Sequence, residues 1–261
     1  MATTLPLTQT EKELKEKVAL SCRIIGDRGV TRGTLGHVSV RLPGTEYVLI
    51  KAKGPDEEAL EWATVRDIIT IDMNGKIVEG AAGLAAPQET AMHLAVYRHR
   101  SEVQSVIHAH PDWIVILAST GKPLVPILGA YDGNASQQLL AEGVPLYPRS
   151  LTITNDELGE DFMNTMGDHR VCMLFGHGIT AAGRSVEDVT QTCLTLYELA
   201  RVNYLAYAIG QPQGIPEQDR KEMAERRAAG RFQGGHTSRA GEPSSWRYER
   251  RRLGEIPPGG N

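Results

Sequence analysis

Between Thr10 and Gly33 the apolar residues Leu14, Val18, Cys22 and Ile25 recur at three- and four-residue steps, the spacing of one helical face. Thr10 followed by Glu13 fits a capping box, in which each side chain satisfies a free amide of the first turn. The period then drops from about 3.6 to about 2 residues. Residues 37–41 and 46–51 alternate as two strands around the turn Pro43-Gly44-Thr45, a hairpin. Asp67–Asp72 reads as another strand, closed by Met73-Asn74-Gly75. A Gly/Ala-rich loop over 80–86 leads into a helix starting near Gln88, and the short apolar strand Val103–Ile107 follows. Strand and helix alternate to about residue 143. A final strand pair, Val171–Phe175 and Ile179–Ala182, precedes Ser185, which caps a long helix running to about Ala208. Residues 1–9 read as disordered, and there is no internal repeat. The list is that of one α/β domain.

Composition narrows the class. At 261 residues the chain is long enough for one large domain, and 41% apolar with 23% charged residues is ordinary globular usage. A net charge of −4 gives no general affinity for nucleic acid or an anionic membrane. Cys22, Cys172 and Cys193 each sit in an apolar context with no metal or disulfide spacing, as small buried residues of a reducing compartment do. No apolar run approaches the roughly 18 residues of a membrane span, and no basic-then-apolar leader opens the chain. A cytoplasmic protein is expected. From Pro212 the composition shifts, and residues 217–252 hold ten Lys or Arg among Gly, Pro and Ser. Interleaved acids and the lack of an aromatic stacking platform argue against nucleic acid. This stretch reads as a solvated arm packed on its own or a neighbouring subunit, with Trp246 and Tyr248 as its apolar anchor. The expected division is 1–210, a catalytic domain, and 211–261, a basic C-terminal arm.

The chemistry gathers around Pro87–Pro111. The strand ending in His108-Ala109-His110 presents two imidazoles on one face, because side chains two apart on a strand point the same way. That suits the first two ligands of a divalent cation, and Pro111 stops the strand where a cleft can form. Glu89 lies upstream at a helix start, and His177 follows another apolar run in Phe175-Gly176-His177-Gly178. Catalytic zinc sites commonly take three protein ligands and leave one position open, a count met by three histidines beside one glutamate. Plainer readings compete: a lone histidine is more often a surface or satisfied core residue, and Glu89 could be a carboxylate favoured by a helix dipole.

Gly33-Thr-Leu-Gly-His-Val-Ser-Val-Arg41, the Glu-x-x-x-His of Glu89 and His93, the His-Ala-His-Pro at 108–111 and the His-Gly-Ile at 177–179 together resemble the class II aldolase/adducin family. The likeness spans roughly residues 10–210. It implies a three-layer α/β domain with a mostly antiparallel central sheet flanked by helices. It also implies a divalent metal on His108, His110 and His177, a catalytic Glu89, and a homotetramer with its active sites at subunit interfaces. Zn²⁺, Mn²⁺ and Co²⁺ all suit three imidazole nitrogens, and affinity order does not choose among them. His93, four residues after Glu89, either orients it or lines the core. Tyr131, in Gly129-Ala-Tyr-Asp-Gly133, lies roughly where aldolase members carry a catalytic tyrosine, or is an ordinary turn aromatic; Asp132-Gly133-Asn134 is plain turn chemistry. Arg41 and Arg184 read as exposed or ion-paired residues rather than carboxylate clamps.

This chain departs from the phosphate-binding pattern of the family's sugar-phosphate aldolases at three places. It has His37 for an asparagine, Lys53-Gly54 for Ser-Gly, and Pro87-Gln88 for Ser-Ser. Small hydroxyls that wrap a phosphate are replaced by an imidazole and an ammonium, which suit a carboxylate. His37, Lys53 and Gln88 are therefore the expected substrate contacts. The pattern looks more like the branch that decarboxylates hydroxylated aromatic dicarboxylates, such as dihydroxyphthalate or hydroxypyridine dicarboxylate. The alternatives are a metal-dependent aldolase of a non-phosphorylated hydroxy acid or aldehyde, and an adducin-like scaffold without the reaction. The four intact site residues argue against the scaffold.

Overall fold

Eight strands lie side by side in one sheet. They are β1 (His37–Arg41), β2 (Tyr47–Lys51), β3 (Ile68–Asp72), β4 (Ile77–Glu79), β5 (Ser105–Ala109), β6 (Leu146–Tyr147), β7 (Val171–Leu174) and β8 (Gly178–Gly183). Their order is β4-β3-β2-β1-β5-β8-β7-β6, and every pairing is antiparallel except β6 with β7. The computed structural model describes residues 9–230 and 242–256; the stretch 1–8 of the expected disordered N-terminus lies outside them.

Helices cover both faces. α1 (Gln9–Asp27), α3 (Asp112–Ser119), α6 (Val186–Ile209) and α8 (Ser244–Arg252) pack one side, where Val18, Cys22, Ile25, Ile114 and Leu194 share a core. α2 (Thr90–His99) and α5 (Asp156–Met166) close the other over Met92, Val96, Tyr97, Phe162 and Met166. A strand covered on both faces has no polar side, so β5 and β8 are buried throughout. The expected three-layer, mostly antiparallel sheet is what the chain forms.

Some elements differ from the periodicity. β4 and β6, three and two residues long, are too short to show an alternation. α5 was not anticipated, although Asn155 caps it by accepting from the Leu158 amide at 2.9 Å and Leu158, Phe162 and Met166 form its inward stripe. Asp132 does more than turn the chain: it caps α4 (Gly133–Glu142), accepting from the Ala135 amide at 2.9 Å.

The C-terminal stretch forms α7 (Glu217–Ala228) and α8. Trp246, 5% exposed, joins the core of α1 and α6, whereas Tyr248, 53% exposed, faces out; only the tryptophan is an anchor. Ion pairs from Arg28 to Glu249 and from Arg252 to Asp27, both 2.5 Å, complete the docking on the same chain. All three cysteines are free and buried, with burial pushing each thiol up to about 12. Among the described residues no helix is long and apolar enough to cross a membrane.

Candidate metal centre

The site forms where the middle strands meet the start of α2. His37 on β1 stands opposite His108 on β5. Glycine lets the backbones close in on either side of this row. Gly36, at φ +84°, is where a Cβ would lie 2.8 Å from the His108 carbonyl oxygen, and a Cβ on Gly178 would collide with that of Ala109. Pro87–Thr90 then turns into α2, fixed by the Thr90 hydroxyl donating to the Pro87 carbonyl at 2.6 Å. Glu89 occupies the cap position, yet its side chain makes no capping bond. It reaches into the imidazoles instead.

One ligand atom from each of Glu89, His108, His110 and His177 falls within 4.8 Å of the others. His108 Nδ1 must carry a proton, because it donates to the Ile179 carbonyl at 2.9 Å; its Nε2 therefore offers a lone pair. That lone pair lies 2.9 Å from His110 Nε2 and 3.1 Å from Glu89 Oε2, while His177 Nε2 is 3.5 Å from Glu89 Oε1. Electron pairs facing one another this closely need a shared proton or a cation between them.

The charge balance points to the cation. Burial, reinforced by the charges of His108 and His177, pulls His110 down to about 3, and burial also lowers His177. Burial pushes Glu89 up, but contact with His108, His177 and His110, whenever those rings take up a proton, outweighs it and holds the carboxyl at about 2. Burial thus favours neutral rings at His110 and His177 beside an ionised Glu89, and Glu89 Oε1 is buried without a hydrogen-bond partner. The residues fit a divalent ion with an open position for substrate.

Beside this cluster, His93 is fully buried with its Nε2 2.8 Å from His37 Nδ1 and its Nδ1 2.7 Å from Ser39 Oγ. Ser39 Oγ is in turn 2.8 Å from the Tyr97 hydroxyl. His93 thus contacts His37 rather than holding Glu89. Ser39 and Tyr97 were not anticipated. Their signal was present, since His37 and Ser39 are two apart on a strand and Glu89, His93 and Tyr97 are spaced by four on a helix.

Residues 16–204 match the class II aldolase and adducin N-terminal domain. The chain belongs to the class II aldolase and adducin family. It is 33% identical to a 3,4-dihydroxyphthalate decarboxylase of Arthrobacter keyseri across 94% of this chain and 95% of that one. It is 36% identical to the 3,4-dihydroxyphthalate decarboxylase of Terrabacter sp. (strain DBF63) across 78% of this chain and 86% of that one. Among solved structures, an aldolase II superfamily protein from Pseudomonas syringae superposes with a TM-score of 0.79 at 21% identity, over 95% of both chains. That likeness shows the fold.

The other residues singled out in the sequence fall unevenly around the cluster. The Lys53 ammonium donates to the Thr34 carbonyl, lies 3.7 Å from Glu57, and is near enough for its charge to act on His37 and His110. Burial pulls its pKa down while Glu57 opposes the shift. Gln88 is exposed beside Glu89. Tyr131 is not brought to the imidazoles of its own chain: its hydroxyl donates to Glu249 at 3.4 Å and the Arg28 guanidinium lies over its ring. Arg41 donates to the carbonyls of Val103 (3.0 Å) and Tyr97 at the end of α2, a structural use, and Arg184 is exposed.

Proposed function

We propose that this protein is a divalent-metal-dependent carboxy-lyase that removes one carboxylate from a hydroxylated aromatic dicarboxylate of the 3,4-dihydroxyphthalate type. The observation that carries the reading is Glu89, a buried carboxylate with one unpartnered oxygen beside three imidazoles within ligand distance of one another. The named activity of the relatives supports the same chemistry.

In this reading His108, His110 and His177 hold Zn²⁺, Mn²⁺ or Co²⁺. The bound ion supplies a Lewis acid for negative charge on an oxygen next to the breaking bond. Glu89 is ionised at rest, so it acts first as a base, taking the proton of the ring hydroxyl. Loss of CO2 leaves the electron pair of the broken bond on the ring carbon, and the protonated Glu89 returns its proton there. His37 and Lys53 supply donor and positive charge for a substrate carboxylate, with Gln88 at the rim. Tyr131 has no part within its own chain's site.

Residues 1–210 are the catalytic unit and 211–261 an extension docked through α8, as the span of the family match and the burial of Trp246 support. The reading also includes a homo-oligomer with sites at subunit boundaries, supported by exposed Leu151 and Phe175 near His177; a monomer by light scattering would remove it. Three free thiols support a cytoplasmic setting.

The test is incubation of the metal-loaded protein with 3,4-dihydroxyphthalate. Release of CO2 in step with loss of the substrate is expected. Aldehyde release from a non-phosphorylated hydroxy acid, with no CO2 from the phthalate, would replace this reading by the aldolase one.

A further inference from the structure

We propose that Tyr97, Ser39 and His93 form a buried hydrogen-bond chain that locks His37 as a neutral imidazole with its proton on Nε2. His37 is thereby a fixed donor to the carboxylate that the substrate keeps, and not a fourth metal ligand. The inference rests on the decarboxylase reading only for the identity of that carboxylate.

The direction of the chain follows from its far end. Tyr97 is buried, and among the described residues the acceptor within reach of its hydroxyl is Ser39 Oγ, at 2.8 Å. Reversing that bond would leave a phenolic proton buried and unpaired. Ser39 then has one proton to give. His93 Nδ1 at 2.7 Å takes it in preference to the Val106 carbonyl at 3.5 Å. A neutral His93 that accepts at Nδ1 must donate from Nε2, and His37 Nδ1 accepts at 2.8 Å. The remaining proton of His37 is on Nε2, which points toward Glu89 Oε2 from 3.9 Å, beyond hydrogen-bond distance.

Both rings are buried, their hydrogen-bond partners are each other and Ser39, and the Glu89 carboxylate stays beyond hydrogen-bond distance of His37, so nothing compensates a charge on either imidazole. His37 and His108, opposite each other on adjacent strands, therefore carry opposite tautomers. Nδ1–H on His108 frees a lone pair for a cation. Nε2–H on His37 excludes one and offers a proton to an anion.

The carboxylate that leaves loses its charge as it becomes CO2. A hydrogen bond to it would hold the ground state more tightly than the transition state and slow the reaction. The donor is useful on the carboxylate that stays, where it contributes equally to both states and sets KM.

The test uses zinc-loaded full-length protein with ¹⁵N-labelled histidines, read by two-bond proton–nitrogen correlation. His37 is expected as Nε2–H and His108 as Nδ1–H. Tyr97→Phe removes one oxygen from the far end of the chain. It should mix the His37 tautomers, leave zinc content unchanged, and weaken binding of phthalate by about tenfold, the scale of one charge-assisted hydrogen bond. KM for 3,4-dihydroxyphthalate should rise similarly, with kcat within about threefold. Ser39→Ala breaks the chain at its middle and should reproduce the pattern. Wild-type His37 found as Nδ1–H, a Tyr97→Phe protein with unchanged tautomers and phthalate affinity, loss of zinc in that variant, or a fall in kcat in place of KM would each overturn the proposal. Inactivity on the dihydroxyphthalate with the expected tautomers in place would instead sink the decarboxylase reading alone.

Discussion

Glu89 and Glu249 are two buried carboxylates, 8% and 2% exposed, and the chain provides for them in opposite ways. Glu249 faces cations that the chain itself owns. Arg28 Nη1 donates to it at 2.5 Å and Arg252 Nε lies 3.6 Å away, with the Tyr131 hydroxyl at 3.4 Å. Glu89 faces three imidazoles, two of which, His110 and His177, burial holds toward the neutral form, and it keeps one oxygen without a hydrogen bond. Their acidities diverge accordingly: burial raises Glu249 despite its arginines, while the imidazole cluster holds Glu89 at about 2. A carboxylate balanced by its own chain ties elements together. One left to be balanced from outside marks where chemistry can happen.

Substitutions can break this contrast at its strong end first. His108→Ala removes the lone pair nearest both His110 and Glu89, so stoichiometric metal and activity should disappear together, checked by elemental analysis beside the assay. Glu89→Gln should retain the metal but lower kcat by about 10²- to 10⁴-fold, the range of a lost proton-transfer group. A near-normal rate in that variant would remove Glu89 from the mechanism. Glu249→Gln should do the reverse, leaving kcat alone while unfolding in urea shows a loss of about 2 kcal/mol. That is less than the roughly 3–5 for a fully buried pair, because Arg252 and the partly exposed Arg28 can find water.

The remaining effect is graded by pH and separates the two carboxylates by sign. His93 is neutral in the fold with a pKa of about 3, against 6.5 for the free group. The unfolded chain binds the extra proton between those limits. Metal-free protein should therefore lose stability as pH falls through 6.5 toward 3, by up to about 1.4 kcal/mol per pH unit for such a group. Glu89 adds its own loss only as pH falls below 4.5 toward 2. Glu249, shifted upward, works the other way: its protonation favours the fold as pH falls toward 4.5. Urea midpoints across pH 8 to 5 test this, and a flat profile would contradict a buried neutral His93.

Much of the site was legible because its signals are local. The alternation of β5 placed His108 and His110 on one face, and Ser185 showed the start of α6, where it accepts from the Asp188 amide at 3.1 Å. The departures at His37 and Lys53 were visible as residue types. The hidden parts depend on distance along the chain. Nothing near residue 131 says that Tyr131 will meet Glu249, 118 positions later, and nothing near Ser39 announces a histidine 54 positions on. α5 is a different case: its cap Asn155 and its stripe Leu158, Phe162 and Met166 are local signals, set after the irregular stretch 148–154.

The pairing of β5 with β8 has a consequence for how the protein matures. The imidazoles that could hold the ion come from β5, the residue just after it and the turn into β8, which are neighbours in space but span residues 108–177. A slip of one position between β5 and β8 would turn His108 to the face of the sheet opposite the one it shares with the other imidazoles. A truncated or misthreaded product therefore lacks the full set of donors, and uptake of the ion becomes a readout of correct strand assembly as much as of composition.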